Sequence, residues 1–178
     1  MKYFTPELYQ QFNSLDVEEA ERADEAWDKA EAAYKERLVS IREHMPSRVV
    51  KLSELCLHDA LVVSRVEQVQ PAGDGPPFPP GFWTAVAIVS VSLGGEIVSL
   101  IYSLSDFTTV KDAPAGWRFS KHDEQWLYDE VDLIDDPRGL FVHRILFSTG
   151  VTLEIRFASV IIHRFKMPAA TKRAKHSA

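Results

Sequence analysis

The sequence predicts an α+β protein: N-terminal helices, one of them long and acidic, packed on a C-terminal antiparallel β-meander of about six strands. Three observations carry that expectation. Apolar and small residues recur at steps of three and four from Ala20 to Met45, which is one stripe of a helix. From Leu61 onward the period changes to two, in β-branched runs separated by glycine, proline and aspartate turns. No helix-length segment lies between those runs, so parallel βαβ units are excluded. A chain of 178 residues suits one domain, expected over residues 1–167 with a helical part at 1–56 and a β part at 57–167.

The elements follow in order. Thr5-Pro6-Glu7 is a helix start, with a hydroxyl cap, proline at the first position and an acid near the positive end of the dipole. Leu8 and Phe12 share a face, so a short helix over about 6–13 is expected. Asp16, with Glu19 three residues on, opens the long helix. Its stripe runs Ala20, Ala23, Trp27, Ala30, Tyr34, Leu38, Ile41 and Met45, and Pro46 stops it. Acids from Asp16 to Asp28 crowd its first half, while Lys35, Arg37 and Arg42 sit in the second, an order that suits the macrodipole. About 28 residues at ~1.5 Å each would span ~42 Å, so part of the helix is expected to overhang the sheet. Trp27 stands among alanines and is the residue expected to reach beyond the sheet, where it would offer a surface to a second copy or another protein. Ser47–Glu54 reads as a further short helix with Val49, Val50 and Leu52 inward.

Leu57-His58-Asp59-Ala60 hands the chain over to the sheet, and Asp59 is expected there to accept hydrogen bonds from backbone amides. Leu61–Val69 is the first strand. Residues 70–81, with five prolines and three glycines, form a loop in which Pro76-Pro77-Phe78-Pro79-Pro80 is a polyproline II candidate. Phe82–Leu93 and Glu96–Leu104 are strands closed by the turn pair Gly94-Gly95, with Phe107–Val110 extending the second past a bulge. Gln125–Ile134 is another strand. In the final hairpin, a Ser148-Thr149-Gly150 turn sets Phe147 opposite Val151, Ile145 opposite Leu153, His143 opposite Ile155 and Phe141 opposite Phe157. The same register pairs Arg144 with Glu154 on the other face, expected to be exposed. Val160–Lys166 adds a last strand or a bent continuation.

Composition narrows the function classes. Hydrophobic residues make up 46% and aromatics 11%, enough for a real core. The net charge of −6 argues against general nucleic-acid binding. Residues 1–45 hold eleven acids and six bases, whereas residues 164–178 hold five bases and no acid, so 168–178 reads as a basic disordered tail. No apolar run approaches the ~20 residues of a membrane helix, and Met1–Tyr9 has no secretory h-region, so a cytoplasmic protein without membrane contact is expected. The single cysteine, Cys56, lies between two leucines and reads as a buried, inert thiol. There is no glycine-rich phosphate loop, GxSxG, HExxH or CxxC, and the reading assigns no cofactor and no metal.

Two sets of candidate residues remain. Trp126, Tyr128, Glu130 and Asp132 alternate along one strand, opposite inward Leu127, Val131 and Leu133. Displayed aromatics and acids suit recognition of a protein, and with Trp27 they form the binding set, unless the N-terminal helix simply covers them. Asp129 falls on the inward face and must find a partner such as Arg65, Arg156 or a histidine. The alternative set is catalytic: His58, Asp59 and His143 would serve a small metal-dependent hydrolase if they met in space.

The opening Met1-Lys2-Tyr3-Phe4-Thr5-Pro6-Glu7-Leu8-Tyr9, the Leu57–Ala60 junction and the Trp126–Val131 strand together resemble a family of uncharacterised bacterial proteins that begin with a similar M-[KR]-Y-F-T-P-E-L-Y string. The resemblance implies a bacterial source and no assigned chemistry. The Leu57-His58-Asp59 step into an antiparallel sheet is also similar to small immunity-type proteins of bacterial toxin systems. The expected function is a non-catalytic, intracellular protein-binding module, of regulatory or immunity type, whose partner is another protein or a second copy of itself.

Overall fold

Helix α1 (Pro6–Phe12) begins where Thr5 Oγ1 accepts the Leu8 N–H at 3.2 Å, and α2 (Val17–Ile41) where Asp16 accepts the Glu19 N–H at 3.1 Å. A 3-10 turn (Arg42–His44) and Pro46 then lead into α3 (Ser47–Ser53). The stripe read in the sequence is the face α2 buries: Ala23, Tyr34 and Ile41 are buried along it. The computed structural model describes residues 1–71, 83–104, 108–135 and 140–166. The proline run at 76–80, Phe107 and the basic tail expected at 168–178 lie outside the described residues.

Among the described residues seven strands follow: β1 (Leu61–Pro71), β2 (Trp83–Leu93), β3 (Glu96–Leu104), β4 (Thr109–Lys111), β5 (Trp126–Leu133), β6 (Phe141–Phe147) and β7 (Thr152–Lys166). They form one antiparallel sheet in the order β1-β2-β3-β7-β6-β5, with β4 beside β7. The order departs from a plain meander after β3. At 15 residues β7 is long enough to pair with β6 and β4 along its first half and with β3 along its second. Thr109–Lys111 therefore lies against Thr152–Glu154 rather than prolonging β3. The β6–β7 hairpin has the register that its turn imposes, including Ile145 opposite Leu153, His143 opposite Ile155 and Arg144 opposite Glu154. Gly150 completes that turn at φ +80°, and a Cβ there would stand 2.6 Å from the Trp117 ring, so no other residue fits.

The sheet curls until its two edges meet. Leu61 bridges Gln125, the Val62 N–H reaches the Glu124 carbonyl at 2.9 Å, and the Trp126 N–H reaches the Ala60 carbonyl at 2.9 Å. The concave side is the core. Val49 and Leu52 of α3 join Val89, Leu100, Ile145, Ile155 and Phe157 in a single buried cluster. Further along β5 the free edge is closed by α2, whose Tyr34 hydroxyl accepts the Val131 N–H at 2.7 Å. A strand edge satisfied in this way offers no template for further pairing.

Candidate functional site

The most chemically equipped residues converge inside the sheet. His143 (β6) is fully buried; its Nε2 lies 3.0 Å from an Asp129 oxygen and its Nδ1 2.7 Å from the Tyr102 hydroxyl. Asp129 Oδ1 accepts the Trp126 indole N–H at 2.9 Å. One assignment satisfies every atom: Nε2–H donates to the carboxylate, and Nδ1 accepts the phenol proton. Burial, and then the Asp129 charge, push the Tyr102 phenol well above the usual tyrosine range, which keeps it a donor. Histidine is thus the partner that the inward Asp129 requires. Tyr102 was not foreseen, because only the pairing of β3 with β7 brings it opposite β6. Trp126 is also misplaced by strict alternation. A bulge between Trp126 and Tyr128 turns the indole to the Asp129 side, where it is fully buried.

The other face of β5 is covered rather than displayed. Glu130 is 1% exposed, and its carboxylate accepts the backbone N–H groups of Lys2, Tyr3 and Phe4 at 2.6–3.0 Å. Arg144 stands 4.0 Å behind it. Asp132, 7% exposed, is held by Arg37 of α2 at 2.7 Å. Tyr128 packs on Trp27 (ring centroids 4.6 Å), Phe4 and Tyr9, and its phenol is raised by burial and then by Tyr9 and Asp59. Trp27 does not overhang the sheet. Phe4 and Phe12 close on its ring at 5.3 Å each, because α1 folds back over the alanine-rich part of α2. Four of the binding set, Trp27, Tyr128, Glu130 and Asp132, therefore hold the N-terminal segment, α1 and α2 onto β5, while Trp126 belongs to the core.

His58 and Asp59 pair with each other at 3.0 Å, side chains 43% and 60% exposed. Asp59 sits at φ +64°, a left-handed conformation that aspartate tolerates, and its N–H donates to the Trp126 carbonyl at 2.9 Å. Its part in the junction is thus played by its backbone, and its carboxylate goes to His58 rather than to amides. His58 packs on Tyr128, on the helix-covered side of β5, whereas His143 faces the interior. The hydrolase set is divided between the two faces of the sheet. Among the described residues, no three His, Cys, Asp or Glu side chains gather so as to hold a metal ion. Cys56 is exposed, not buried: Leu57 turns into the core and leaves its neighbour pointing outward. A cleft of about 220 Å³ between β1, β2 and β4 contains Arg65, but that guanidinium is already paired with Glu124 at 3.2 Å and lies 4.7 Å from the Phe147 ring centre.

The surface left open lies elsewhere. On the convex side of β1-β2-β3-β7, four cross-strand rows run Leu61–Ser92–Ile97–Phe165, Ser64–Ser90–Ser99–His163, Val66–Ile88–Ile101–Ile161 and Gln68–Val86–Ser103–Ser159. Ala87, Val89, Val91, Leu100 and Tyr102 of the same strands face the core, so these sixteen side chains face away from it. Leu61, Val66, Ile161 and Phe165 are exposed, the last at 54%. None of the sixteen is Asp, Glu, Lys or Arg, although at the chain's 26% charged content about four would be. The sequence did carry a signal: between Gly81 and Ser105 Glu96 is the single charged residue, whereas a strand with one wet face ordinarily alternates apolar with polar or charged side chains. The chain matches no protein-family model and no curated protein.

Proposed function

We propose that the chain is a non-catalytic protein-binding module of regulatory or immunity type, and that its contact surface is the uncharged sixteen-residue patch on the convex side of β1, β2, β3 and the second half of β7. The face itself carries the reading. Depletion of charge from a contiguous apolar and serine surface is what distinguishes the core of an interface from ordinary surface. The closed state of the His143 network supports the non-catalytic part. Both imidazole nitrogens and both Asp129 oxygens are engaged by protein groups, and the ring has no access to a substrate.

Capture experiments from an extract of the native host test the assignment, with wild type, Val66→Glu and an α2 surface variant, Glu25→Lys, as baits. A protein retained by wild type and Glu25→Lys but lost with Val66→Glu is the expected result. Equal retention by all three baits would remove the sheet face from consideration. Retention lost only with Glu25→Lys would move the contact to α2.

A further inference from the structure

We infer that the occupant of the convex face is a second copy of this chain, set face to face in a two-fold dimer; the inference rests on the binding reading above and names its partner. Charge decides first between a copy and a stranger. Each chain carries a net −6, so two copies repel one another over most of their surfaces. None of the sixteen positions carries a charged side chain, and His163 is the sole titratable group among them. On this patch two copies meet without opposing like charges. It also gives a differently charged partner nothing to read.

Symmetry and size agree with this. A two-fold axis running along the strands lays β2 of one copy over β3 of the other and sets each row on its own counterpart. Val66, Ile88, Ile101 and Ile161 then pack on the same four residues, and Ser64, Ser90 and Ser99 lie beside their mates. Such a contact is self-complementary, as an isologous interface must be, and it is the aligned packing that two twisted sheets adopt. With strands ~4.8 Å apart and same-face residues ~6.8 Å apart along each strand, the four-by-four patch covers about 500 Å². Two copies would remove at most roughly 1,000 Å² from water, at the threshold for a specific interface. An area at that threshold is that of a dimer in exchange with monomer.

Sedimentation of the full chain measures it directly. Wild type is expected to show a monomer–dimer equilibrium, while Ile161→Lys and Val66→Glu dissociate at least ~tenfold more readily with unchanged circular dichroism spectra. Both positions are solvent-facing in the single chain, so folding is expected to survive. If Ile161→Lys fails to fold, Ser159→Lys on the same face replaces it. Ser99→Cys in a Cys56→Ser background is expected to cross-link copy to copy with a short bis-maleimide. A wild type that stays monomeric through the micromolar range overturns self-pairing, and leaves the extract experiment to judge the binding reading by itself. A dimer that both face variants leave intact would also overturn it, because another surface would then be holding the copies together.

Discussion

The two halves of the sheet treat their side chains in opposite ways. Around β5 and β6 both faces are covered, and the chemically versatile residues sit there fully engaged: His143 with Tyr102 and Asp129, Glu130 with three backbone amides, Asp132 with Arg37. Across β1, β2, β3 and the second half of β7 one face is bare, and it carries isoleucine, valine and serine. Residues that look functional by type can thus be the ones the fold consumes, while plain residues form the free surface. A buried acid or imidazole is costly unless its hydrogen bonds are made. The covered half has made them, so its polar groups specify the packing of the N-terminal helices.

The largest break in that contrast is expected from Glu130→Ala. It would leave the amides of Lys2, Tyr3 and Phe4 without their acceptor and Arg144 without a neighbouring carboxylate, and should cost about 3–5 kcal/mol in urea unfolding. A loss below about 1 kcal/mol would show that the cradle is not what seats the N-terminal segment. Next, the same deletion in the two halves should differ severalfold. Ile155→Ala, fully buried, should cost about 2–5 kcal/mol. Ile161→Ala, 40% exposed, should stay near 0.5 kcal/mol or less in the monomer. Equal costs would mean that the convex face is covered within a single chain.

Tyr102→Phe sharpens the comparison by its pH dependence. At neutral pH it removes one buried hydrogen bond and leaves the His143 Nδ1 without a donor, which should cost about 1–3 kcal/mol. The native Tyr102 phenol is raised, so the stability it contributes is intact below the unfolded value of about 10 and is lost as pH climbs from there through the native value. Tyr34 is raised in the same sense, chiefly by burial. Denaturation followed from pH 8 to 12 should therefore show a shallower alkaline decline in Tyr102→Phe than in wild type. An identical slope in both would show that the phenol ionises as freely in the native protein as in the unfolded one.

How much of this could be read in advance depended on sequence distance. Caps at Thr5 and Asp16 use acceptors three residues from their donors, and a three-residue turn fixes the whole β6–β7 register, so both follow from local pattern. The acceptor role of Glu130 joins it to residues more than 120 positions away, and alternation alone placed it outside. The bulge at Trp126 breaks the period-two rule at the residue where the candidate face was anchored. The convex face needs the β3–β7 pairing, which joins residues about 60 apart. Its constituents are legible as charge-free strands, and their assembly is not.

The smallest expected effect lies at the seam between the halves, on β6 and β7. The sequence reading placed Arg144 and Glu154 on an exposed face, where such a pair contributes at most ~1 kcal/mol. They are cross-strand partners with Nε to Oε2 at 3.0 Å, but their side chains are only 22% and 20% exposed, and Arg156 adds a second contact to Glu154 at 3.1 Å. Burial alone would raise the Glu154 carboxyl; the hydrogen bonds and charges of Arg144 and Arg156 outweigh it and hold the group below its ordinary value. A carboxylate depressed in the native state stabilises above the unfolded value of about 4.3, and that contribution disappears as pH falls through the native value. A double-mutant cycle of Arg144→Met and Glu154→Gln should therefore give a coupling of about 1 kcal/mol at pH 7 that shrinks toward zero once the pH has fallen through the native Glu154 value. A coupling that stays constant after Glu154 has been titrated to its protonated form, followed in the native protein by NMR, would mean that the two side chains support each other through packing of their stems, and that the charge contributes little to closing the seam.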